Sequence, residues 1–86
     1  MFTVEFSENF KKQYKKIIKN DSQLEKRIDT ALFKLAKNPE KVSHKVGSVW
    51  SARVTGDIRI IWEYKKGELC LLLLKIGGHS GKHKVY

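Results

Sequence analysis

The chain has 86 residues, with 18 Lys and Arg against 9 Asp and Glu, a net charge of +9. That length allows one compact domain, residues 1–86, whose core must come from a few well-patterned elements. The lone cysteine, Cys70, forms no internal disulfide, and the longest apolar run, residues 69–74, is far too short to span a bilayer.

Charge this one-sided draws polyanions, and RNA, DNA and an acidic protein all stay open as partners beside a merely basic surface. The excess is no detachable tail, since residues 1–43 carry 10 basic side chains and residues 44–86 carry 8. Glu5 and Glu8 stand where a secretory leader has basic and apolar residues, so a cytoplasmic location away from membranes is expected.

In chain order, Phe2, Val4 and Phe6 alternate with polar residues, the pattern of a half-buried strand. Ser7 can cap a helix in which Phe10, Tyr14, Ile17 and Ile18 form the apolar face and lysines the others. Asn20 and Asp21 interrupt the pattern. Leu24, Ile28, Ala31, Leu32 and Leu35 then mark a second helix that ends near Asn38, ahead of Pro39. The second half reads as strands: residues 49–54, then Ile58, Ile60 and Trp62 alternating with Arg59, Ile61 and Glu63, then residues 68–76. Gly56 and Asp57 make a turn, or Asp57 begins the second of these strands. Lys66 and Gly67 make a hairpin turn, and Gly77 with Gly78 breaks the last strand. That last strand is apolar throughout, which predicts a central position buried on both faces. The expected fold is α+β, a two-layer sandwich in the order β-α-α-β-β-β, with a helix hairpin on a mainly antiparallel sheet.

Neither a phosphate-binding glycine loop, nor zinc spacing among Cys70, His44, His79 and His83, nor a serine elbow is present, so no metal or nucleotide cofactor is expected. What carries chemistry is a set of Arg, His, Lys and Tyr residues in the second half. Arg59 points away from Ile58 and Ile60. Its readings are a salt bridge to Asp57 or Glu63, or a clamp that binds two oxygens of a phosphoryl group. His79 follows two glycines, and a histidine side chain suits proton transfer near neutral pH as well as an idle surface position. Residues 75–86 hold Lys75, Lys82 and Lys84, no acid, and Tyr86. Cations beside an aromatic ring suit a nucleotide, and a frayed end reads the same way. Trp50 and Trp62 read as core or half-buried packing residues.

The element order, the stretch WSARVTGDIRIIW at residues 50–62 and the ending from Ile76 through Gly77, Gly78 and His79 to Val85 and Tyr86 resemble the RelE/ParE toxins over essentially the whole chain. The glycine-x-histidine ending looks most like the YafQ-type branch. The resemblance implies a type II toxin that cleaves mRNA on the ribosome without a metal, by attack of a ribose 2′-hydroxyl on the adjacent phosphate. It implies Arg59 as the stabiliser of the transition-state phosphate, His79 as general acid, and Tyr86 as the ring that stacks on or orients the scissile nucleotide. Arg53 falls at a phosphate-binding position, and Asp57 at one that orients Arg59 or His79. His44 is the candidate base, and Lys45 a candidate for holding the RNA backbone. Ser51, Ala52 and Arg53 stand where RelE proper has paired lysines, and the interval from His79 to Tyr86 is one residue longer. A cognate acidic antitoxin is implied as partner, with mRNA on the ribosome as target. Two other functions stay open, inhibition of DNA gyrase in the manner of ParE and noncatalytic RNA binding.

Overall fold

The structure is a computed structural model describing residues 1–66 and 69–78. Its elements are β1 (Thr3–Phe6), α1 (Glu8–Ile18), α2 (Ser22–Lys37), β2 (Ser43–Val46), β3 (Val49–Arg53), β4 (Ile58–Tyr64) and β5 (Cys70–Gly78). The strands form one mixed sheet in the order β1-β5-β4-β3-β2, with β1 parallel to β5 and the other pairs antiparallel. The two helices lie on one face of this sheet, which makes the α+β sandwich expected from the pattern.

Local chemistry explains the helices. The Ser7 hydroxyl accepts from Phe10 N–H at 3.0 Å and so caps α1. The helix ends where Asn20 turns left-handed at φ 60, a conformation asparagine tolerates better than most residues. Asp21 then caps α2 by accepting from Leu24 N–H at 3.0 Å. The core joins Phe10, Ile17, Leu24, Ile28 and Leu35 of the helices to Ala52, Ile58, Ile60, Trp62, Leu71, Leu73 and Ile76 of the sheet. Removing that much apolar surface from water is the main favourable term for a chain this small.

The junction of α1 with β5 shows how the layers are pinned. Strand β1 reaches only as far as Leu73, and a register shift follows it on β5. Beyond that point β5 would present bare backbone groups to the helix layer. Ser7 answers this by donating its hydroxyl to the Leu74 carbonyl at 3.0 Å, and Gln13 Oε1 accepts from Ile76 N–H at 2.8 Å.

Four details differ from expectation. Strand β2 has no counterpart in the apolar pattern. Its four residues are mostly exposed, because pairing, not burial, holds it. It pairs with β3 across Gly47 and Ser48, where Gly47 at φ +64 and Ser48 at negative φ make a type II′ hairpin turn. Trp62 Nε1 also donates to Ser43 Oγ at 2.9 Å, tying β2 to the core. Second, Gly77 and Gly78 do not break β5 but continue it, facing Arg59 and Ile58. A Cβ at Gly78 would collide with the Asp57 carboxylate, so glycine there permits the turn between β3 and β4 to approach the strand. Third, β5 is central but not covered on both faces among the described residues: Leu71, Leu73 and Ile76 are fully buried, while Leu72 and Leu74 are half-buried and Lys75 is exposed. Helices cover only one side. Fourth, Phe6 is 41% exposed at the edge, its ring 5.3 Å from that of Phe10.

Candidate nucleic-acid interface

Strand pairing decides which side chains share the sheet face turned away from the helices. Partners directly opposite in a ladder point to the same side. Ile58, Ile60 and Trp62 are buried under the helices, so Arg59, Ile61 and Glu63 point the other way. Arg53 is the register partner of Arg59, and Arg59 that of Gly77. The adjacent row is His44, Ser51, Ile61 and Lys75, one residue from each of four neighbouring strands. Four strands at about 4.8 Å spacing place His44 and Lys75 roughly 14 Å apart across the row.

The Arg53 and Arg59 pair is the feature that sets this face apart. Residues opposite each other have Cβ atoms about 4.5–5.5 Å apart, and like charges there destabilise a sheet. Among the described residues neither guanidinium has a carboxylate within ion-pair distance; the ion pairs are Lys11 with Glu8 and Lys65 with Glu5. The salt bridge from Arg59 to Asp57 or Glu63, one of its two sequence readings, is therefore not formed. Gly77, the register partner of Arg59 on β5, adds no side chain of its own to the row. Two planar cations side by side bind an anion with several oxygens better than either does alone.

Acidic groups lie at the other end of this face. Glu5 of β1 and Glu63 of β4 share a row with Leu72. Lys65 hydrogen-bonds Glu5 at 2.9 Å and, with its charge, holds that carboxyl below its usual value. The face is thus basic toward the turn between β3 and β4 and acidic toward β1.

Asp57 lies in that turn. Thr55 Oγ1 accepts from Asp57 N–H at 3.2 Å and from Ile58 N–H at 3.0 Å, fixing the turn's shape. The Asp57 carboxylate rests against Gly78, which precedes His79 in the chain. The structure thus brings Arg53, Arg59, His44 and Lys75 onto one face with Asp57 at its end. Lys45 is not among them. It pairs with Trp50 on the helix side of the sheet, because neighbouring strand residues alternate. His79, Lys82, Lys84 and Tyr86 lie outside the described residues. No group of three or more His, Cys, Asp and Glu among the described residues is placed to hold a metal ion.

The helix side carries an aromatic cluster. Trp50 stacks on Trp62 at 5.4 Å, and Tyr64 stands edge-on to Trp62 at 5.0 Å. Both tryptophans are packing residues, as their strand positions imply. Burial and a hydrogen bond to Glu40 push the Tyr64 phenol up to about 12. Glu40 lies in the segment between α2 and β2, so this bond is a second brace on the approach to His44.

The family model described as ParE toxin of type II toxin-antitoxin system, parDE, matches residues 4–82. The chain belongs to this family. Solved structures agree on the fold of the toxin. A YoeB/ParE toxin from Agrobacterium tumefaciens is similar at TM-score 0.75 and 14% identity, covering 91% of this chain and 99% of that one. The YoeB-YefM complex from Staphylococcus aureus gives TM-score 0.73 and 16% identity, covering 93% and 99%. The DinJ-YafQ toxin-antitoxin complex from E. coli gives 0.69 and 17%, covering 91% and 92%. None of the curated proteins matches the chain. Among the described residues no helix of the toxin is long and apolar enough to cross a membrane.

Proposed function

We propose that the toxin is a ribosome-dependent endoribonuclease that cleaves mRNA, acting in the cytoplasm, with the Arg53 and Arg59 pair as its phosphate clamp. The observation that carries this reading is the facing of two arginines without a carboxylate partner among the described residues, on a face that also holds His44 and Lys75. In the reaction a ribose 2′-oxygen bonds to the adjacent phosphorus, and the bond from phosphorus to the next 5′-oxygen breaks. A base takes the 2′-hydroxyl proton, an acid protonates the leaving oxygen, and a cyclic phosphate remains. Negative charge grows on the equatorial phosphate oxygens as this happens, and preplaced guanidiniums stabilise that charge more than the ground state. His44 is the base candidate on the same face. His79 and Tyr86 are assigned as acid and stacking ring through the family resemblance, with Lys75, Lys82 and Lys84 as backbone contacts and Asp57 positioning the acid.

The partner is an acidic antitoxin. The neighbouring DinJ-YafQ structure is a toxin-antitoxin complex and YoeB is seen in complex with YefM, and the +9 charge of this chain favours an acidic partner. Translation-coupled cleavage by purified toxin, mapped by primer extension, tests the proposal. Ribosome-dependent cuts that disappear in Arg59→Ala and His79→Ala support it. Their absence with folded wild-type protein defeats it.

A second reading, inhibition of DNA gyrase by binding, is favoured by the ParE family match. It needs no acid or base. Loss of supercoiling activity in a gyrase assay, unchanged by His79→Ala, separates it from the nuclease.

A further inference from the structure

Helix α2 has two differently charged flanks. Glu25 and Asp29, one turn apart, face α1: Asp29 lines a groove with Phe10, Tyr14 and Leu32, and both acids raise the Tyr14 phenol alongside its burial. Lys26, Arg27 and Lys34 lie on the opposite flank, toward the end of β3. Glu25 and Asp29 stand one turn apart as a like-charge pair, and of the three cations only Lys26 lies one turn from either of them, three residues before Asp29.

The basic flank borders an open groove of about 400 Å³ lined also by Ala31, Val54 and Arg53, the last residue of β3. Its four cations have no carboxylate among the lining residues and no ion pair among the described ones. Thr30 donates its hydroxyl to the Lys26 carbonyl at 3.1 Å, so the cations alone are left to recognise an anion. The volume is that of a small-ligand cleft, about 300–1,000 Å³. Arg53 belongs to both regions: it lines this groove and faces Arg59 in the sheet register.

We infer that this groove is a second phosphate-binding site, which carries the RNA backbone off the sheet face past Arg53 and along Lys26 and Lys34 of α2. The inference rests on the proposed action on RNA. RNA is favoured over an acidic protein segment because the groove is continuous, through Arg53, with the site given to the scissile phosphate. Of its lining residues only Ala31 and Val54 are apolar, which leaves little to receive apolar side chains. A charged, flexible backbone needs little more than spaced cations.

The test is binding of a short 2′-O-methyl RNA, which cannot be cut, followed by fluorescence anisotropy at several salt concentrations. Lys26→Ala/Lys34→Ala is compared with Lys12→Ala/Lys16→Ala, which removes equal charge from exposed positions of α1. Loss of two phosphate contacts weakens binding roughly 10- to 30-fold near 0.1 M salt and shallows the log-log salt slope by about 1.4. The α1 variant changes much less, and Lys26→Arg/Lys34→Arg retains binding. Equal weakening in both alanine variants overturns the site, because only net charge would then matter. Unchanged RNA binding in the α2 variant overturns it too, and lost antitoxin affinity in that case gives the groove to the protein partner. Wild-type toxin that binds through the groove yet cuts nothing on ribosomes defeats the nuclease reading and sustains the second site.

Discussion

The two faces of the sheet use the same strands for opposite purposes. On β4, Ile58, Ile60 and Trp62 are 4%, 0% and 0% exposed beneath the helices, while Arg59, Ile61 and Glu63 between them are only half-buried on the other side. Every second residue therefore holds the fold together, and the residues between are left on the outer side, where the proposed site lies. The helix side tolerates no misfit because interiors are close-packed. The open side carries a repulsive arginine pair that packing alone would select against. Stability and proposed function are separated by the two-residue period of a strand, not by distance along the chain.

The sharpest way to break this contrast is from the buried side. Trp62→Ala deletes the largest fully buried side chain and should destabilise by about 3–5 kcal/mol in urea unfolding, as large truncations in cores do. If stability barely changes, the helix side is not the packed face. Ser43→Ala leaves the buried Trp62 indole N–H without its acceptor and should cost about 1–3 kcal/mol. Hydrogen exchange should also accelerate in β2, the strand that bears His44. Ser7→Ala removes a helix cap together with the donor to the Leu74 carbonyl, with about 1–2 kcal/mol expected.

The open side should respond in the other direction. Arg53→Met relieves the like-charge contact with Arg59 and should raise stability by about 0.2–1 kcal/mol while lowering RNA affinity. A stability loss would mean that the arginine is a structural residue. The smallest effect belongs to Glu5. Lys65 depresses its pKa, so its contribution is present above the ordinary carboxylate range and is lost as pH falls through the depressed value. Glu5→Gln should flatten that part of the acid unfolding profile and leave stability near neutrality little altered.

Much of the fold is legible in the order of the residues. Ser7, Asp21 and Asn38 mark helix ends by short-range hydrogen bonding, and the alternation from Ile58 to Trp62 separates Arg59 from the core. Other features leave no such trace. Residues 43–46 have no apolar alternation, because β2 is held by its ladder and by Ser43. Gly77 and Gly78 look like a break, yet Asp57 needs a side-chain-free strand there. Lys26, Arg27 and Lys34 come to border a groove only when the end of β3 is set beside α2.

Local periodicity and capping are enough to specify the helix pair, the inward and outward sides of each regular strand and, with the basic charge, the family to which the residues point. These forces act within a few residues, so the order of amino acids carries them directly. Contacts between distant segments set the rest: β1 lies parallel to β5, Arg53 meets Arg59, His44 joins their face while Lys45 leaves it, and α2 forms a groove with β3. The strand partners among these are matters of pairing register. Such registers are chosen by backbone hydrogen bonds and burial of the whole sheet, and no local pattern encodes them.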